Sequence, residues 1–289
     1  MPIEAILMEQ ARSIGTHTVR RVLPQIARRA VGPFVFLDRM GPVDILPEES
    51  FDVLPHPHIG LSTLSYLFDG VIVHRDSTGA HQRLEPGGIN FMTAGRGVVH
   101  SERGPEEGRT LPLRLHGLQF WVALPLADEE TSPSFEHVSA KDIPTRDISG
   151  CSLRILAGEA YGARSPLRTF SPLVLVDATM PEGATLQLPA APELAVYVLE
   201  GTVAVEGTEQ GSGHLVILGE AASTLEARTS CHVVILGGPP LDAPRYLYWN
   251  FVASSKGRLE AAKEAWRNQT SRFPPIPGDD AEFIPLPER

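Results

Sequence analysis

Disulfide chemistry is the first thing missing. The chain has only Cys151 and Cys231, too few for a disulfide framework, so a reducing cytosol is the expected compartment. Neither cysteine has a reactive context, and Cys231 falls in an apolar, strand-like run that would bury it. No stretch reaches the ~18 consecutive apolar residues that a membrane-spanning helix needs. The opening MPIEAILMEQARS places Glu4 early and sustains no apolar core, so no secretory signal is expected there. Positive charge is scarce and scattered: 25 Lys and Arg face 35 Asp and Glu, a formal charge of −10. That balance argues against a nucleic-acid or anionic-membrane partner, because both surfaces rest on clustered positive charge. A P-loop, a nucleophile elbow and a G-x-G-x-x-G turn are also missing. These absences predict a soluble, cytoplasmic protein.

Turn-forming residues, by contrast, are abundant. The 26 Gly and 26 Pro cut the chain into short segments such as FVFLD (34–38), TLSYLF (63–68), VIVH (71–74), INFM (89–92) and LQFWVAL (118–124). LRILA, PLVLVDA, LAVYVL, TVAVEG, HLVIL and HVVILG continue the pattern, which predicts an all-β sandwich or barrel. With 289 residues and an apolar fraction of 42%, the chain has material for about two domains. Two stretches match. The run from Tyr66 through Asp69-Gly70 returns as Tyr197 through Glu200-Gly201, an offset of 131, and each acidic-Gly pair reads as a hairpin turn. Gly88-Ile-Asn-Phe-Met is answered by Gly213-His-Leu-Val-Ile-Leu at an offset of 125.

Two tandem copies of one small β-barrel are therefore expected, the second with a shorter middle loop. The boundaries predicted are 1–126 for the first domain, a polar linker over 127–144, and 145–289 for the second. Helix is scarce. KGRLEAAKEAWRNQ (256–269) is the best case, capped by Ser254 or Ser255, with Leu259, Ala262 and Trp266 on one face and FPPIP as its stop. PLADEE (125–130) is compatible with a turn of helix.

The chemistry lies in copy one. His56 and His58 sit at i and i+2, so on a strand both side chains point one way. His100 and Glu102 repeat that spacing 42 residues after His58, in GRGVVHSER. Three imidazoles and a carboxylate facing across a barrel mouth are a fitting ligand set for a divalent transition metal, with coordination sites left for chemistry. By the two offsets the matching residues of copy two are Gln187, Pro189, Leu225 and Ala227. One metal per chain is thus expected in copy one, with copy two metal-free. His74 and Asp76, in HRDSTGAHQ with His81, read as turn residues more readily than as a base pair of groups near the site. His17, His116, His137, His214 and His232 have no partner at ligand spacing and read as structural.

HPHIGLSTLSYLFDG, HRDSTG and MTAGRGVVHSE, with VGPFVFLDRMGP (31–42) before and LHGLQFWVALP (115–125) after, resemble the pirin family of the cupin superfamily. The resemblance is specific over about residues 11–125 and looser beyond. It implies two cupin barrels (double-stranded β-helix, jelly-roll-like) with a short C-terminal helix. It also implies metal ligation by His56, His58, His100 and Glu102, with iron(II) the usual ion. Ser62 departs from the Glu that many cupins and many pirins carry there, which bears on the surroundings of the site rather than on the ligand set. Two functions follow from the resemblance. One is a dioxygenase of the quercetin 2,3-dioxygenase type, opening a flavonol ring with O₂ and releasing carbon monoxide, with Glu102 taking the 3-hydroxyl proton. The other is a non-catalytic regulator whose iron state sets its affinity for a protein partner. Another cupin chemistry, such as an isomerisation, ranks third. A pocket for a flat aromatic at the metal would favour the enzyme, and a plugged mouth the regulator.

Overall fold

The computed structural model describes residues 1–14, 17–49 and 51–288. The chain is all-β apart from one α-helix and three short 3-10 turns among the described residues. Both expected barrels are present, and the repeat holds strand by strand.

In the first copy, a four-stranded sheet runs in the order Asp52–His58, Val98–Arg103, Ile72–Asp76, His81–Leu84. In the second, Thr185–Gln187, Thr224–Ala227, Thr202–Val205 and Thr208–Gly211 follow the same order. The larger sheets also correspond. Ser134–Val138, Ile89–Thr93, Leu61–Asp69, Leu113–Ala123 and Phe34–Ile45 answer to Ile3–Met8, His214–Leu218, Glu193–Glu200, Cys231–Gly238 and Val174–Met180. The acidic-Gly pairs turn the chain, but not into the hairpins the sequence suggests. Leu61–Asp69 and Ile72–Asp76 lie in different sheets, as do Glu193–Glu200 and Thr202–Val205, so each turn carries the chain from one sheet to the other. Gly70 has φ +86°, and a Cβ there would sit 2.3 Å from the Arg114 carbonyl oxygen. Gly201 has φ +78°, with the Ser230 carbonyl oxygen at 2.4 Å. Both positions therefore require glycine.

Contacts divide the chain into two compact units, and both chain ends depart from the expected boundaries. One unit, built on the second copy, comprises Met1–Ala11, Arg21–Leu37 and Lys141–Pro240; the other, built on the first, comprises Arg12–Arg20, Asp38–Ala140 and Leu241–Arg289. The Ile3–Met8 strand pairs antiparallel with His214–Leu218 in the second-copy unit. The C-terminal helix falls in the first-copy unit, not with the second barrel. The stretch expected as a linker carries the Ser134–Val138 strand, paired with Ile89–Thr93. It lies at a sheet edge, where one flank needs no partner and polar residues are tolerated, so its composition conceals it. Residues 126–130 form turns rather than helix.

The helix spans Lys256–Arg267, slightly shorter than expected, and Ser255 caps it by accepting a hydrogen bond from Arg258 N at 3.3 Å. It buries Leu259, Ala262, Ala265 and Trp266, which pack with Ile59, Val99, Phe251 and Phe273. Glu129, 2% exposed, anchors its start by accepting from Ser254 N and Oγ and pairing with Arg258. No helix among the described residues is long and apolar enough to cross a membrane.

Candidate metal centre

His56 and His58 lie on the Asp52–His58 strand, at the edge of the four-stranded sheet. An edge suits the HPH pattern, because prolines cannot donate on both flanks of a central strand. Antiparallel pairing sets His56 opposite His100 and His58 opposite Val98. The three rings meet, with centroids 5.0 Å apart for His56 and His58, 4.3 Å for His56 and His100, and 4.9 Å for His58 and His100. One ligand nitrogen from each lies within 4.8 Å of the others.

Each ring is oriented by its other nitrogen. His56 Nδ1 donates to the Leu54 carbonyl at 2.8 Å, and His58 Nδ1 to the Asn250 carbonyl at 3.0 Å. A carbonyl can only accept, so both bonds leave Nε2 unprotonated. Asn250 sits in the turn of the hairpin between Tyr246–Tyr248 and Phe251–Ala253. His100 Nε2 is buried with no hydrogen-bond partner. An orphaned buried nitrogen costs roughly 1–3 kcal/mol. A lone pair meeting a cation removes that cost, so the donor set fits a divalent metal.

Burial also keeps the rings neutral. It pushes His56 down to about 4, opposed by the Leu54 bond and helped by the neighbouring His74. His58 and His100 lie well below the ordinary value, first through burial and then through neighbouring imidazoles. Neutral imidazoles are the form that binds metal.

Glu102 stands apart from the group of three. Between His100 and Glu102 one strand advances two residues while its partner advances three, His56 to Val53, a bulge in the HPH strand. Glu102 Oε1 accepts from Ser65 Oγ at 3.0 Å, and the Gln119 side chain also bonds the carboxylate. Burial raises its pKa, against the pull of His74, Ser65 and Gln119.

The sequence reads His74 and Asp76 as turn residues more readily than as groups near the site, and the structure differs by placing both on a strand. The Ile72–Asp76 strand buries alternate residues, and its register sets Asp76 opposite His100 and His74 opposite Glu102. His74 Nδ1 lies 3.4 Å from His100 Nδ1, and His74 Nε2 lies 3.0 Å from Asp76 Oδ2. The usable signal was period-two alternation, which puts His74 and Asp76 on the face of buried Ile72.

The remaining histidines are placed structurally. His137 bonds Asn90, His214 bonds Gln210, His232 bonds Asp177, and His116 packs on Phe68. Ser62 is buried and shares a hydrogen bond with Thr93 Oγ1 at 2.9 Å. Cys151 and Cys231 are free and buried, and burial raises both thiols, Cys231 to about 11.

The register corrects the expected correspondence in copy two. Leu225 stands opposite Leu186 and Val205, as His100 stands opposite His56 and Asp76. Ala227 stands opposite Val203, as Glu102 opposite His74. His56 thus answers to Leu186, not Gln187. Leu188 N bonds Ser223 O, which makes Leu188 rather than Pro189 the equivalent of His58. Leu186, Leu225, Ala227, Val203 and Val205 all belong to one apolar cluster.

Family models match two stretches: Pirin over residues 16–122 and the Pirin C-terminal cupin domain over residues 175–273. A pirin-like protein of Caulobacter vibrioides is 44% identical over 99% of this chain and 100% of its own. A crystal structure of quercetin 2,3-dioxygenase from Acinetobacter baumannii superposes with a TM-score of 0.91 at 33% identity, covering 100% of this chain and 96% of that one. The bacterial pirin YhhW of Escherichia coli, solved with nickel(II), shares the fold at a TM-score of 0.64 and 20% identity, over 82% of this chain and 99% of that one.

Proposed function

The chain belongs to the pirin family, and we propose that it is a metal-dependent dioxygenase of the quercetin 2,3-dioxygenase type. In this reading it acts in the cytoplasm on flavonols with O₂, and His56, His58, His100 and Glu102 hold one iron(II) per chain. The observation that carries the reading is the convergence of three buried, neutral imidazoles in the first barrel, with one nitrogen left bare. The similarity to the Acinetobacter baumannii quercetin 2,3-dioxygenase supports the choice of reaction. The ion would supply Lewis-acid polarisation of a substrate oxygen and redox chemistry with O₂.

The chain's own groups do the rest. Hydrogen bonds to the Leu54 and Asn250 carbonyls aim His56 and His58. Glu102 has a carboxyl that burial moves toward neutrality, which suits it to take the substrate's hydroxyl proton and return it. Ser65 holds that carboxylate in place.

A second reading rests on a different observation. His56, His58, His100 and Glu102 are 6%, 1%, 0% and 7% exposed, so the site is enclosed, and a flat ligand enters only if the mouth opens. A cavity of about 440 Å³ lies in the same unit but is lined by Trp266, Phe273, Phe283 and Pro55, not by the imidazoles. Enclosure suits a non-catalytic regulator whose metal state is read by a protein partner. The deciding experiment loads the protein anaerobically with iron(II) and follows O₂ uptake and carbon monoxide release on quercetin. Flavonol-dependent uptake is expected. Fully loaded protein that consumes no O₂ would overturn the enzyme reading in favour of the regulator.

A further inference from the structure

The three imidazoles are not oriented alike. His56 and His58 each donate to a backbone carbonyl, which fixes their tautomers outright. His100 Nδ1 has another imidazole as its neighbour, His74 Nδ1 at 3.4 Å. Two ring nitrogens can share one proton in either sense, so something further must decide. Asp76 is the deciding group. Its Oδ1 accepts from Thr78 N at 2.8 Å, Thr78 Oγ1 at 2.6 Å and Ala80 N at 3.2 Å, and its Oδ2 lies 3.0 Å from His74 Nε2.

A carboxylate so surrounded by donors is an acceptor, so the His74 proton sits on Nε2. In the neutral ring, His74 Nδ1 is then bare and can only accept. His100 must carry its proton on Nδ1, which leaves Nε2 bare, and His100 Nε2 is the buried nitrogen without a partner. We infer that Asp76 and His74 are positioning residues for His100, relaying the Asp76 charge into the one His100 tautomer that can ligate a metal. The second copy supports this by contrast: where His100 becomes Leu225, Asp76 and His74 become Val205 and Val203, so the orienting pair goes with the ring it serves. The inference rests on the metal-centre reading for its purpose but not for its geometry.

Two measurements test it. In the metal-free wild-type protein, ring nitrogen chemical shifts are expected to show His100 protonated on Nδ1 and His74 on Nε2. A His100 proton found on Nε2 would overturn the proposal without any variant. The second uses Asp76→Asn, whose Oδ1 can keep the Thr78 and Ala80 bonds while its amide N–H faces His74 Nε2 and reverses the relay. In that variant His100 is expected to lose the Nδ1–H form while His56 and His58 keep theirs. Nickel(II) affinity measured by calorimetry is expected to fall about 10–100-fold, with Asp76→Glu restoring part of it. An unchanged His100 tautomer with unchanged affinity would sink the relay. Wild-type protein that takes up no nickel(II) would sink the metal reading instead, and the shifts would still judge the relay.

Discussion

The two barrels share a strand order and differ in what fills them. Around the middle strand of the small sheet, the first copy places His56, His100, Glu102, His74 and Asp76, and the second places Leu186, Leu225, Ala227, Val203 and Val205 at the equivalent register positions. In the second copy these side chains join an apolar core, where each fully buried Leu or Val contributes about 1.5–3 kcal/mol. In the first they are titratable groups that burial disfavours unless each is bonded, neutral or bound to an ion. The same backbone thus serves once as a packed core and once as a site, and the site gives up apolar packing that its twin retains.

The comparison breaks most directly through metal stoichiometry. One transition metal per chain is expected in metal analysis of the wild type, falling to near none in His56→Ala or His100→Ala. A second equivalent that survives both substitutions would place a site in the barrel lined by Leu186 and Leu225. Next in size is Glu102→Gln, which keeps an oxygen donor but cannot take a proton. Flavonol turnover per bound iron is expected to drop by ~10²–10⁴-fold, well beyond the loss of iron itself. Wild-type turnover per iron would remove Glu102 as the base.

The second barrel offers the converse experiment. Leu225→Ala empties part of a close-packed core and is expected to cost about 2–5 kcal/mol in denaturant unfolding, while metal content stays at one. A loss of metal in that variant would show that the two barrels are not independent in this respect.

The smallest effect is on pH. The folded His56 pKa is about 4 and the ordinary value is 6.5, so across that interval the unfolded chain binds a proton that the folded chain does not. Metal-free protein should therefore lose stability as pH falls from 6.5 toward 4, with His58 and His100 adding in the same direction. Glu102 works with the opposite sign, since its raised pKa lets the folded state hold a proton as pH rises past the ordinary carboxyl value. Chemical denaturation of apo protein across this range checks the sign. Stability that is flat or rises on acidification would contradict the burial of neutral imidazoles.

Much of this was legible before the structure. The i, i+2 spacing on strands points to His56, His58 and His100, which the fold brings together, and to Glu102, which stands apart from them, and the repeat offsets expose the duplication. What escaped has physical causes. Tyr66 follows His56 by 10 positions but Tyr197 follows Leu186 by 11, so a constant offset taken from the tyrosines points at Gln187 when Leu186 is the equivalent. His74 and Asp76 acquire their meaning only from the register that sets them beside His100. The Asn250 carbonyl carries no side-chain signature at all. The Ser134–Val138 strand is polar because it lies on an edge, and it passed for linker.

The hydrogen bond from His58 to Asn250 also has a place in time. It joins residues 192 positions apart, and Leu241–Arg289 belongs to the same compact unit as the ligand strands. Ribosomes add about 5–20 residues per second, so roughly 10–40 s separate the synthesis of His58 from that of the carbonyl that aims it. During that interval a nascent chain displays the HPH stretch without its orienting partner and without the terminal helix. The largest segment of the second-copy unit, Lys141–Pro240, is made inside this same interval. The imidazole cluster of the first barrel is therefore fully oriented only after Asn250 has been made.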